Sequence, residues 1–198
     1  MFARLALSGL ALAVVSVAAP ASAQTWNIDP AHSSASFTVK HMMVSNVHGR
    51  FGKVEGTLVY DGKNLAAASV DARIDATTIT TDNEKRDAHL KSPDFFDVAG
   101  NPTITFKSKR AEAVGDGKFK LIGDLTMRGT TKEVVLDVEG PTDPVTVQNS
   151  QRVGVTATTT LNRKDYGVSW SRAMDGGGYV VSDDVRVTIE LELIKQTS

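Results

Sequence analysis

The chain of 198 residues contains no cysteine. That excludes disulfides, thiol redox chemistry and a cysteine nucleophile, so any fold must stand on its apolar core alone. Positive charge is not in excess either: 22 Lys and Arg face 23 Asp and Glu, a formal net charge of −1. Binding to nucleic acid requires a clustered basic surface that neutralises phosphates, and none is visible here. Beyond the first 23 residues there is no apolar run of the length a membrane-spanning helix needs. Phosphate-binding glycine loops and the His-Glu-x-x-His zinc signature are also missing. The nearest approach to a serine-nucleophile elbow, Gly167-Val168-Ser169-Trp170-Ser171, lacks the closing glycine and the strand-to-helix setting.

What is present begins with an export leader. Arg4 precedes an apolar stretch from Leu5 to Val17, followed by Pro20 and the small-residue triplet Ala21-Ser22-Ala23. These are the features of a secretory signal peptide, with cleavage expected before Gln24. In a bacterium such a leader directs the protein to the periplasm. Residues 24–198 then form one domain of ordinary size.

Within that domain the dominant pattern is period-two alternation, the signature of strands with one apolar face. It recurs about eight times. One segment sets Phe37, Val39, His41 and Met43 against Ser36, Thr38 and Lys40; the last sets Val185, Val187, Ile189, Leu191 and Leu193 against Arg186, Thr188, Glu190 and Glu192. Between them strands are predicted near Gly49 to Tyr60, Ala67 to Asp75, Thr103 to Arg110, Lys118 to Met127, Lys132 to Glu139 and Arg152 to Asn162. Asp61-Gly62, Gly115-Asp116-Gly117 and Arg128-Gly129 supply hairpin turns, and Gly176-Gly177-Gly178 a loop. A Thr81-x-x-Glu84 capping box predicts one short helix from about Asp82 to Leu90, ending before Pro93. Eight antiparallel strands must bury their apolar faces, and closure into a barrel also removes the exposed edges. An eight-stranded barrel is either filled by side chains or hollow enough for one slim ligand.

The four histidines, His32, His41, His48 and His89, match no compact metal signature. His41 falls on the inward face, as a core histidine with one hydrogen bond or as a contact for a ligand head. His32 and His48 read as turn residues, and Asp183-Asp184 as solvated residues before the last strand. His89 shares a helix face with Asp82 and Arg86; this is a solvated charged face or, with Ser92, a head-group site at a barrel mouth. Phe37, Phe51, Phe106 and Phe119 lie on strands, and Phe95, Phe96 and Trp170 on connections at an end. These rings fill a core or line a pore for an alkyl or prenyl chain, and periodicity does not separate the two.

Several ordered motifs span the mature chain. They are Trp26-Asn27-Ile28-Asp29-Pro30-Ala31-His32-Ser33, Phe37-Thr38-Val39-Lys40-His41, Val47-His48-Gly49-Arg50-Phe51 and the run from Arg86 through Leu90-Lys91-Ser92-Pro93 to Asp97. Gly123-Asp124-Leu125-Thr126-Met127-Arg128-Gly129-Thr130-Thr131, Asn162-Arg163-Lys164-Asp165-Tyr166-Gly167 and Val181-Ser182-Asp183-Asp184-Val185 follow. On these motifs the chain resembles the YceI-like family of polyisoprenoid-binding proteins. The resemblance implies an all-β, lipocalin-like eight-stranded antiparallel barrel with one short helix, holding a long isoprenoid or fatty chain in its interior. It implies a binding protein rather than an enzyme, with no cofactor beyond the bound lipid, and homodimers are common in such proteins. The residues expected along the chain are Phe37, Val39, Phe51, Phe95, Phe96, Phe106, Phe119, Leu121, Leu125 and Trp170, with His41 and Arg163 as polar contacts.

Overall fold

The computed structural model describes residues 23–115 and 117–196. The export leader expected over residues 1–23 therefore lies outside the described residues, apart from Ala23. Among those described, twelve strands run in chain order. They are β1 (Gln24–Ile28), β2 (Ser34–His41), β3 (Ser45–Phe51), β4 (Val54–Tyr60), β5 (Ser69–Asp75), β6 (Ile79–Thr80), β7 (Thr103–Gly115), β8 (Lys118–Met127), β9 (Thr130–Glu139), β10 (Val145–Val147), β11 (Ser150–Asn162) and β12 (Val181–Lys195). The helix α1 (Glu84–Lys91) separates β6 from β7.

These segments form eight antiparallel staves, because four staves are interrupted partway, one of them where β10 continues β9 alongside β11. β1 and β2 both pair with β12, β3 and β4 run on either side of Gly52-Lys53, and β6 continues β5. Each stave pairs with its neighbours in sequence, β11 with β12 over eleven residue pairs from Arg152↔Ile194 to Asn162↔Asp184, and β12 also pairs with β1 and β2 of the first stave, which closes the barrel. Closure leaves the alternating apolar faces pointing inward from every side.

Four local readings change. The stave containing Phe37 ends at His41, not at Met43: Met42 and Met43 adopt left-handed backbone angles and turn the chain, with the Val44 N–H donating to the His41 carbonyl. The helix is capped by Asn83, whose side chain accepts from the Arg86 N–H. Thr81 is instead buried and tied to Asp87, so the Thr-x-x-Glu spacing matched a capping box without forming one. β1 escaped prediction because five residues ahead of Asp29-Pro30 are too short to show a period. His48, read as a turn residue, lies within β3 with its Nδ1 3.0 Å from the Thr38 hydroxyl.

One of the breaks within a stave is stitched by polar contacts. Asp29, in the gap between β1 and β2, accepts from the Ala31 N–H and from Arg152, and lies 2.9 Å from His32 Nδ1. Arg152 also bonds Glu192, and the Ser33 hydroxyl accepts from the Glu192 N–H. The His32 contact, followed by the Ala31 amide, holds the Asp29 carboxyl below its usual value, while Asp29 raises His32.

Candidate functional site: an apolar tunnel capped by a helix

The buried side chains do not fill the barrel. They divide into two clusters. One contains Trp26, Phe51, Val54, Ile79 and Leu193; the other contains Phe119, Leu121, Val134, Leu136 and Val138. Between them runs a cavity of about 560 Å³, within the range of small-molecule sites. Val70, Leu125, Val155 and Ile189, each half-buried, border both clusters and line this space.

Two glycines help keep the interior open. Gly49 is the cross-strand partner of Phe37, and a Cβ there would collide with the Phe37 ring. Gly123 similarly lies under the Phe106 ring. Each ring can therefore lie against the wall in the space a side chain would have taken, an aromatic-over-glycine arrangement known from sheets.

All twelve residues expected along a bound chain line this cavity: Phe37, Val39, His41, Phe51, Phe95, Phe96, Phe106, Phe119, Leu121, Leu125, Arg163 and Trp170. The lining also includes Leu58, Leu136 and Leu191, which lie on inward strand positions, and Leu65, which sits on a connection with no periodic signal. The basic residues of the lining, His41, Lys85, Arg86, His89 and Arg163, belong to one end, where α1 and the β2–β3 turn lie. The opposite end is lined by Leu65, Phe119, Val138 and Pro141.

Arg163 is not available as a head-group contact. It is 5 % exposed, and its guanidinium donates to the carbonyls of Ser182, Val168, Trp170 and Val181 and to Asp183. Those contacts occupy its five N–H donors. Burial lowers its pKa, and Asp183 opposes that shift. The residue is a clamp for the loop between β11 and β12. Arg128 does similar work, donating to the carbonyls of Gly167 and Pro93 at 2.5 and 2.8 Å.

The helix is held over the mouth by its polar face. Asp87 accepts from the Thr80 and Thr81 hydroxyls and from the Thr81 N–H, and Arg86 donates to Thr81. Burial pushes the Asp87 carboxyl up, but the Thr81 and Thr80 hydrogen bonds outweigh it and leave the pKa lowered. Beside the helix, His89, Phe95 and Trp170 form an aromatic triangle with ring centres 4.9 to 5.3 Å apart. His89 Nε2 lies 2.9 Å from Asp94, so the imidazole is oriented within the rim.

Asp29, His32 and Glu192 are the one group among the described residues with metal-ligand spacing. Arg152 bridges both carboxylates there, so a cation position is already taken by a guanidinium. Tyr166 is buried with no partner for its hydroxyl, and burial pushes its pKa up to about 12.

A closed antiparallel barrel with an apolar, helix-capped tunnel is the architecture of a lipocalin-like protein. The model of the YceI-like domain matches residues 26–193, and the chain belongs to that family. A UPF0312 protein of Vibrio cholerae is 38% identical over 177 residues, covering 87% of this chain and 90% of its own. Among solved structures, Burkholderia cenocepacia BcnA aligns with a TM-score of 0.71 at 22% identity, over 83% of this chain and 98% of that one. A polyisoprenoid binding domain from Saccharophagus degradans aligns with a TM-score of 0.63 at 15% identity, over 87% and 99%. These two structural likenesses carry the fold.

Proposed function

We propose that this protein is an exported lipid-binding protein that holds the long apolar tail of an isoprenoid or similar lipid in the barrel and carries or sequesters it, without catalysing a reaction. The observation behind this reading is the continuous apolar lining of the cavity, interrupted by ionisable groups mainly at the helix end. A chain threaded along it gains about 0.8 kcal/mol per buried methylene, enough for tight binding with few polar contacts. His41, Lys85 and Arg86 line the polar end of the cavity, which supports a ligand with a polar head, such as a quinone or a polyprenyl phosphate, over a purely hydrocarbon one.

Native mass spectrometry of protein purified without detergent, followed by organic extraction, tests the proposal. The expected result is a co-purifying lipid of defined mass, or stoichiometric uptake of an added prenyl chain. Protein that arrives free of lipid and also refuses prenyl and fatty chains overturns it. Phe106→Glu should abolish uptake, because an ionised carboxylate would share the tunnel with the tail, and circular dichroism checks that the barrel persists.

A further inference from the structure

Met42, Met43 and Val44 form the β2–β3 turn and are 42 %, 48 % and 82 % exposed. The backbone geometry is unusual for such residues. Met42 and Met43 have φ of 51° and 59°, which suits asparagine, aspartate or glycine. The chain uses residues of that kind where the same paired geometry recurs, with glycine in Arg128-Gly129 and asparagine in Gln148-Asn149. At the β2–β3 turn it places two long apolar side chains in water on a strained backbone, a combination that points to function rather than to folding.

The turn does not stand alone. The Met42 N–H donates to the Val180 carbonyl at 2.8 Å, and Gly178 packs so closely on the Met43 side chain that a Cβ would not fit. Tyr179, 40 % exposed, lies between them in sequence. Met42, Met43, Val44 and Tyr179 thus gather on two joined loops, directly outside His41, Val47 and Val180 of the tunnel lining. The hairpin Ser34–Phe51 beneath them contains Lys40, Arg50 and two histidines but no Asp or Glu. Lys40, His48 and Arg50 occupy alternate positions from the inward Val39, Val47 and Gly49, on the outer face, although Arg50 also lies 3.6 Å from Asp82.

Resting on the lipid-binding reading, we propose that this tip is a membrane foot. Met42, Met43, Val44 and Tyr179 dip into the interfacial region of an anionic bilayer while Lys40 and His48 meet its phosphates, so that a tail passes between bilayer and tunnel without crossing water. An apolar tip backed by cations is the chemistry of interfacial anchoring. The occupant is a bilayer because a lipid tail must leave one, and because the patch borders the tunnel mouth.

The absence of cysteine makes the test direct. Val44→Cys and, at the far end, Val145→Cys each accept one environment-sensitive fluorophore. With vesicles of phosphatidylethanolamine and phosphatidylglycerol, the label at 44 should shift to the blue and the label at 145 should not. High salt should weaken association, and pure phosphatidylcholine vesicles should give a smaller shift. An unmoved label at 44, or equal shifts at both positions, overturns the proposal. So does a shift at 44 that needs only higher protein concentration, which would mean a second copy covers the tip.

The double variant Met42→Asn, Met43→Gly suits the turn. It should keep its melting temperature and its uptake of dispersed prenyl chain while losing vesicle association roughly tenfold. Unchanged association in that variant overturns the foot. Wild-type protein that docks on vesicles but takes up no chain supports the foot and overturns the carrier reading instead.

Discussion

The two ends of the barrel are built differently. At one end the staves are joined by the compact turns around Asp61-Gly62, by the β7–β8 hairpin and by β10, and the tunnel there meets Leu65, Phe119 and Pro141. At the other, long connections carry α1, the aromatic triangle and the loop clamped by Arg163. Short connections leave little for a ligand to move. Long ones can open, and they bring the polar groups that a lipid head requires. On the proposed lipid-binding reading, entry and head-group recognition fall to the helix end and containment to the other.

Removing the Arg163 clamp should break that comparison most severely. Arg163→Met strands four carbonyls and a carboxylate, and should cost about 3 kcal/mol or more, read as a lower urea midpoint. Arg163→Lys restores the charge but not the fork, and should recover only part of the loss. Next in size is the tunnel wall. Gly49→Leu drives the Phe37 ring into the lumen, so prenyl-chain affinity should fall roughly tenfold while overpacking costs about 1–3 kcal/mol of stability; titration calorimetry and thermal melts separate the two. At the mouth, Trp170→Ala opens the aromatic triangle. Chain release, followed by stopped-flow exchange, should quicken severalfold with a smaller change at equilibrium.

The smallest effect should come from the polar stitch between β1 and β2, which stands apart from both ends. His32 is raised above 6.5 by Asp29, so its stabilisation is fully present below pH 6.5 and is lost as pH climbs through the raised folded value. Asp29 is lowered, so its contribution is present above 3.8 and disappears as pH falls through the lowered folded value. The difference in melting temperature between wild type and His32→Gln should therefore narrow toward alkaline pH, with chain binding unaltered.

The strand pattern was legible because a period of two survives in any stave longer than about six residues, and β12 or β9 shows it plainly. The inward set followed from it, which is why residues as distant as Phe37, Leu121 and Leu125 were selected together. Asn83 and the end of β2 at His41 were missed for a local reason. A cap or turn is decided by which backbone N–H a side chain can reach, and several neighbouring residues offer the same chemistry. Arg163 lines the cavity, but its donors are spent on acceptors from residues up to twenty positions away, which no local pattern reveals.

By itself the sequence determined an all-β domain whose apolar faces had to meet, since alternation fixes the face of each side chain without knowledge of its neighbours. Whether those faces would meet as a solid core or around a tunnel was decided only by the tertiary structure. The answer lies in distances across the barrel and in glycines opposite rings, such as Gly49 beneath Phe37, which depend on strand register rather than composition.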